Sequence, residues 1–205
     1  LRKVLKDKEI EKKMLKNSTE NLPEYLQSQW INFYGKKLVN NFVNLIMKEP
    51  YLDLICSKKI RIEEKKNLIS SIKGKEIYPN VIRSLYKGKI SSIQGYKNGY
   101  WWIQDIGSFI QFEILLKKIF KNFQDYNFKN LKFLDLCSAP GGKTIQILDN
   151  EMNVFSVDNS LSRINIMTKN LKRLKLSSKI ICQDASTILT KKKFDVILID
   201  APCSS

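Results

Sequence analysis

Residues 131–150 read LKFLDLCSAPGGKTIQILDN, and this order decides the fold. Phe133 to Leu136 is a short apolar run, as a strand buried on both faces of a parallel sheet would be. It breaks at Pro140-Gly141-Gly142, and a helical pattern opens at Lys143 with Ile145 and Leu148 on one face. Strand, glycine turn and helix aim backbone N–H groups at an anionic ligand and let a nucleotide approach closely. Gly142-Lys143-Thr144 imitates the end of a phosphate loop, but that motif needs a glycine where Cys137 stands. The G-x-G-x-x-G dinucleotide pattern is absent too.

Outward from this stretch, strands and helices alternate, which predicts a parallel sheet with right-handed crossovers. Val154 to Val157 is the second strand and ends in Asp158. Asn159 or Ser160 can cap the next helix, whose Ile164, Met167, Leu171 and Leu174 recur at helical spacing. Lys179 to Cys182 is the third strand, followed by Asp184, and Phe194 to Ile199 is the fourth, ending in Asp200-Ala201-Pro202-Cys203. Acids after successive parallel strands line one edge of a sheet, where ligands bind. Asp158 follows the glycines at a spacing close to the roughly 20 residues expected of an acid that holds a ribose diol. Asp184 suits the adenine or ribose neighbourhood. Each Asp alone could cap a helix or turn; together with the glycine loop they point to a nucleoside-containing cofactor.

Upstream, apolar residues recur at helical spacing from Leu22 to Lys48, Pro50 ends that helix, and Tyr51 to Cys56 reads as a strand. Ile60 to Ile72 reads as a further helix, and Pro79, Gly88, Gly95 and Gly99 punctuate short strands. Residues 1–20 are dominated by Lys and Glu and read as a linker or exposed helix. Trp101 and Trp102 could stack on a base, but adjacent tryptophans at a junction are read here as packing residues. Phe109, Phe112, Leu115, Leu116 and Ile119 give the following helix its apolar face.

Composition narrows the chemistry. The 205 residues contain no His, so no Ser-His-Asp triad, His-based metal site or imidazole base operates within them. Cys56, Cys137, Cys182 and Cys203 lack C-x-x-C spacing, which argues against zinc or a disulfide framework and fits a reducing cytoplasm. A net charge of +16 favours a polyanionic partner, although 31 of the 36 basic residues are Lys, as an AT-rich genome would also give. No apolar run is long enough to span a membrane. The chain starts without Met and stops inside a motif, so a fragment of a longer protein is expected.

Asp135 to Thr144 closely resembles motif I of the RsmB/Nop2/Sun family of RNA cytosine-5 methyltransferases. The segment around Gln104, Asp105 and Ser108 is similar to the family's entry to its catalytic domain, and Asp200-Ala201-Pro202-Cys203-Ser204 resembles motif IV. The resemblance is specific over residues 100–205 and loose over 21–99. It implies a Rossmann-like S-adenosylmethionine-dependent methyltransferase domain at 100–205, cut after its fourth strand. A small α+β RNA-binding subdomain would precede it at 21–99, with 1–20 trailing from a missing NusB-like helical domain. The cofactor site implied is Cys137, Ser138, Ala139, Pro140, Gly141, Gly142, Lys143, Asp158, Asp184 and Asp200, with Cys137 and Ala139 as unreactive small residues. Asp200 would contact the flipped base, and Cys203 would assist product release. The nucleophilic cysteine of the family would lie beyond Ser205. Implied partners are RNA, ribosomal RNA first and transfer RNA second, with no membrane or metal, in a cytoplasmic monomer. A non-catalytic RNA-binding remnant that keeps the cofactor is the alternative from another class. A sheet that ends at its fourth strand leaves an open edge, so low stability is expected of the piece alone.

Overall fold

In a computed structural model, residues 18–122, 128–187 and 192–201 are described. They divide into two compact units, one up to Pro50 and one from Tyr51. Of the 1–20 linker, only the short 3-10 turn that starts at Ser18 falls within the described residues.

The first unit is a helical hairpin. Helix α1 (Glu24–Tyr34) and helix α2 (Lys36–Ile46) replace the single helix predicted from Leu22 to Lys48. The break is Gly35, which ends α1 by donating its amide to the Ile31 carbonyl. Trp30 and Tyr34 of α1 meet Phe42 of α2 edge to face, and Val39 and Val43 are buried between the elements. Tyr25, Leu38, Leu45 and Ile46, which share the predicted apolar pattern, are exposed.

The second unit begins with a four-stranded antiparallel sheet made of β1 (Leu52–Cys56), β2 (Lys75–Tyr78), β3 (Val81–Ser84) and β4 (Trp101–Ile103), in the order β2-β3-β1-β4. Its alternating side chains divide between two cores, as the two-residue period of a strand requires. Leu54, Cys56, Ile82 and Trp101 pack against Leu68 and Ile72 of the α3 segment, whose helix is Ile62–Ser71. Ile55, Val81 and Trp102 face the other way, into the core of the parallel sheet. Both tryptophans are buried and hydrogen-bonded, Trp101 to the Gln94 carbonyl and Trp102 to the Gln104 side chain, so they pack. Residues 101–103 thus belong to the sheet of the preceding segment. Asp53 joins this sheet to the start of the next helix: it takes a bidentate pair from Arg83 at 2.7 Å and the Ile106 amide at 3.1 Å.

Helix α4 (Ile106–Asn122) leads to the parallel sheet. This sheet contains β5 (Lys132–Leu136), β6 (Asn153–Asp158), β7 (Lys179–Cys182) and β8 (Val196–Ile199), all parallel, in the order β7-β6-β5-β8. Helix α5 (Gly142–Asp149) connects β5 to β6, and helix α6 (Leu161–Leu174) connects β6 to β7. Phe112 and Leu116 of α4 pack with Phe133, Ile147 and Val154 on one face. On the same side, the four predicted apolar positions of α6 are buried with Ile55, Trp102 and Phe109. The chain thus forms the α/β, Rossmann-like architecture predicted. The fourth strand starts at Val196 rather than Phe194; just before it, Asp195 accepts the Lys132 amide on its carboxylate and donates its own amide to the Lys132 carbonyl. Ile197 and Ile199 on this edge strand are exposed. No described helix is long and apolar enough to cross a membrane.

Candidate functional site

The parallel register brings Leu136, Val157 and Ile199 level, so the carboxyl ends of β5, β6 and β8 form one edge, and Asp158 pairs with Cys182 of β7. Every predicted site residue among those described sits on this edge or on the loop above it. The loop is built by local bonds. Ser138 donates its amide and hydroxyl to the Val157 carbonyl, and Gly141 donates to the Ser138 carbonyl at 2.9 Å. Cys137 has φ of 59°, a left-handed conformation that costs a non-glycine residue about 1 kcal/mol and concentrates at functional loops. Gly141, with φ of 107°, is the N-cap of α5, and a Cβ there would lie 2.8 Å from Met167 Cγ. A Cβ on Gly142 would come 3.3 Å from the Gln104 amide carbon. The loop therefore presents bare backbone at the start of a helix, the form that admits a carboxylate or nucleoside.

Asp158 is fully buried. One oxygen accepts the Ala139 amide at 3.0 Å, and the other accepts the Ser160 amide at 2.8 Å and the Arg163 guanidinium at 3.0 Å. Ser160, one of the two caps foreseen, accepts the Arg163 amide at the start of α6. Asp184 lies exposed after β7; its carboxylate is held by the Ser186 amide and hydroxyl, which lower its pKa. Lys143 reaches across the edge. Its ammonium donates to Asp200 and to Ser108, each at 2.7 Å, and its side chain is 12% exposed against 58% for Asp200. Cys203 lies outside the described residues.

Gln104, Asp105 and Ser108, expected at the entry to the catalytic domain, acquire roles at this edge that the sequence does not specify. Ser108 stands in the first turn of α4, whose start is capped by Asp105 through the Gly107 and Ser108 amides. Gln104 receives the Trp102 indole and donates to Gln146 of α5, which in turn donates to Glu113 and to the Phe109 carbonyl. This buried chain ties β4 to the helix that carries the loop. Spacing cannot reveal it, because its members are far apart in sequence. Among the described residues, no group of three or more His, Cys, Asp or Glu is placed to hold a metal.

Beneath the loop, Asp135 is buried and accepts the Thr144 hydroxyl at 2.5 Å; Thr144 also shares a hydrogen bond with Ser156. Burial pushes the Asp135 carboxyl up to about 6, opposed by the Thr144 hydrogen bond. The folded state then binds this proton more tightly than the unfolded state does. Its contribution to stability is complete below the ordinary carboxylate value and is lost as pH rises through about 6. Asp135→Asn removes that titration. Across this window its folding free energy, relative to the parent, should shift in the variant's favour by about 3 kcal/mol. Chemical denaturation at several pH values reads this directly, and a pH-independent difference would refute it.

Comparison with known proteins locates this edge in a family. Residues 125–205 match the family model described as 16S rRNA methyltransferase RsmB/F. The ribosomal RNA small subunit methyltransferase B of Cronobacter sakazakii is 34% identical over 133 residues, 62% of this chain and 29% of that protein. A probable ribosomal RNA small subunit methyltransferase B of Coxiella burnetii is 31% identical over 201 residues, 89% of this chain and 42% of its own length. The chain thus spans less than half of each of these relatives. The NSun6 structure from Pyrococcus horikoshii, solved with SFG, superposes with a TM-score of 0.70 at 17% identity, over 88% of this chain and 71% of that one. A methyltransferase homologue from the same organism gives 0.64 at 18% identity, over 90% and 60%. These two likenesses bear on the fold. The glycine loop and its strand-end acids thus lie in or beside the stretch that matches the RsmB/F methyltransferase model, and this match and the curated relatives support the RsmB/Nop2/Sun family.

Proposed function

We propose that the protein containing this chain transfers a methyl group from S-adenosylmethionine to C5 of a cytosine in RNA, ribosomal RNA in the first place. The observation that carries the reading is the Lys143–Asp200 pair, held by Ser108 beside the bare glycine loop at the carboxyl edge of the sheet. The residues fit the cofactor: Gly141 and Gly142 pack against Met167 and Gln104 with no side chain of their own, which leaves the backbone amides at the α5 N-terminus for the methionine carboxylate. When bound, the cofactor supplies an electrophilic methyl on sulfonium. The loop amides and the α5 N-terminus would hold its carboxylate, Asp158 its ribose once Arg163 swings aside, and Asp184 the adenosine neighbourhood. A structure of the same fold was solved with SFG, an S-adenosylmethionine analogue, which fits S-adenosylmethionine as the cofactor.

C5 of cytosine is a poor nucleophile until a thiolate adds to C6 and turns C5 into an enamine carbon. After C5 takes the methyl, a base removes the C5 proton and the carbon–sulfur bond breaks, returning the thiolate. We assign release to Cys203 and contact with the splayed-out base to Asp200 and Lys143. The segment 21–99, whose sheet takes in Trp101–Ile103 as well, is assigned as the RNA-binding subdomain and the remainder of 100–205 as the catalytic one. A transfer RNA substrate would use the same chemistry.

Calorimetry with S-adenosylmethionine is the direct test. One-site binding is expected, and a folded chain that binds none overturns the reading in favour of an RNA-binding remnant. In the complete protein, Cys203→Ser should accumulate a covalent RNA adduct visible on denaturing gels. Full turnover without adduct rejects the role given to Cys203.

A further inference from the structure

The second place where chemistry gathers is the opposite end of the parallel sheet. A hollow of about 570 Å³ opens at the amino ends of its strands, lined by Lys132, Lys179, Lys192 and Lys193, with Phe155 and Phe194 among its walls. No Asp or Glu lines it. Lys132 is the first residue of β5 and Lys179 the first of β7, while Lys192 and Lys193 lead into β8. All four are exposed residues. The ammonium groups of Lys179 and Lys192 lie 5.8 Å and 5.3 Å from the centre of the same Phe155 ring. Phe194 stands against that ring at 5.9 Å. The nearby carboxylate of Asp195 is turned to the Lys132 amide at 2.8 Å.

Lys132, Lys179 and Lys193 in the lining of one hollow, with no acid in that lining, create a local positive potential that an anion relieves. Two aromatic rings in the same wall add a surface on which a base can stack. Lysines tracking a backbone and aromatic rings receiving bases are the means by which proteins hold single strands. A parallel strand of five residues is roughly 16 Å long, so this hollow and the cofactor edge are separated by about that span. A polyanion engaged at both ends would cross several nucleotides.

We propose that this hollow is a second RNA contact, remote from the reacting nucleotide, that takes a single-stranded segment with its phosphates on Lys132, Lys179 and Lys193 and a base against Phe155 and Phe194. That the polyanion is RNA rests on the function proposed above; that the hollow takes a nucleic-acid strand rests on its own charge and rings.

The test uses the full chain and a fluorescein-labelled single-stranded RNA of mixed sequence, followed by anisotropy over a salt series. Lys132→Gln/Lys179→Gln/Lys193→Gln should weaken binding about tenfold or more and reduce the salt slope by about 2, since each phosphate contact on a single strand contributes about 0.7. Lys117→Gln/Lys118→Gln/Lys172→Gln removes the same charge from exposed lysines outside the hollow. It should weaken binding far less. Equal weakening by both variants, no weakening by the first, or no RNA binding by the parent chain overturns the proposal. If the triple variant melts below the parent, the Lys179→Gln/Lys193→Gln pair gives the same reading with a slope change of about 1. S-adenosylmethionine calorimetry on the same preparations reads the other question separately. A parent chain that binds RNA through the hollow and no cofactor removes the proposed function and leaves this site standing.

Discussion

Asp158→Ala should cost about 3 kcal/mol of folding free energy and abolish measurable S-adenosylmethionine binding, whereas Arg163→Ala should leave both nearly intact. The difference follows from what each side chain holds. Asp158 has no exposed side-chain surface and receives two backbone amides besides the guanidinium. Truncating it strands the buried Ala139 N–H away from water, at about 1–3 kcal/mol for an unsatisfied buried donor, and leaves the half-buried Ser160 N–H without its partner at a smaller cost. Relief from burying a charge offsets part of that sum. The Ala139 amide is also one of the loop's bonds to β6, beside those of Ser138 to the Val157 carbonyl, so the backbone that would receive the cofactor loses part of its anchor. Arg163 is 38% exposed, and its loss removes a partly solvated ion pair that is worth no more than about 1 kcal/mol. It also uncovers an oxygen of Asp158 that a ribose diol can use, so cofactor affinity should hold or rise. Denaturant melts and calorimetry on the two variants settle the matter. Equal loss of stability in both would place the anchor on the guanidinium instead of the loop amides, and cofactor binding retained by a folded Asp158→Ala chain would remove the acid from the site.

Which parts of this arrangement the sequence exposes depends on how far apart the contributing residues are. Strands β5 to β8 are legible because each is a short apolar run that ends in an acid or a glycine turn, the mark of a parallel sheet, although only the central β5 and β6 are mostly buried. The helix pattern of α6 is legible for a similar reason: Ile164, Met167, Leu171 and Leu174 recur locally and are all buried. The pairing of Trp101–Ile103 with β1 is not legible, since nothing in either segment encodes a partner some 45 residues away. The same holds for Lys143, which reads as one more residue of a loop motif until α4 brings Ser108 and β8 brings Asp200 to its ammonium. The predicted helix from Leu22 to Lys48 divides because a glycine tolerated inside a helical pattern also serves as its end, and the apolar spacing on either side is blind to that choice. Position marks Asp158 without its partners: the spacing predicts an acid at the ribose, and the structure shows that acid fastening the loop.

Gly99→Ala should destabilise the second unit by about 3 kcal/mol or more, a large effect for the addition of one methyl group. Gly99 has φ of 71°, so any side chain there meets the left-handed penalty of roughly 1–2 kcal/mol. The larger cost is steric. A Cβ at this position would lie 2.4 Å from the Arg173 carbonyl oxygen and 2.9 Å from the Leu174 Cα. Both atoms are backbone in the last turn of α6, so no rotamer change relieves the contact. Loop and helix must separate, and they are joined at this point by more than contact. Arg173 donates to the Tyr96 carbonyl at 2.9 Å, and its guanidinium lies over the Tyr96 and Trp101 rings at 4.3 Å and 5.4 Å. Burial lowers the Arg173 pKa, so this cation already carries a desolvation cost that its carbonyl and rings offset. Moving the loop outward therefore gives up the cation–π contacts and the hydrogen bond together, and it disturbs Trp101 in the core of the antiparallel sheet. Denaturant unfolding followed by tryptophan fluorescence measures the loss. A Gly99→Ala chain within about 0.5 kcal/mol of the parent would mean that the loop is not clamped to α6, and that the two sheets do not depend on this contact for their common core.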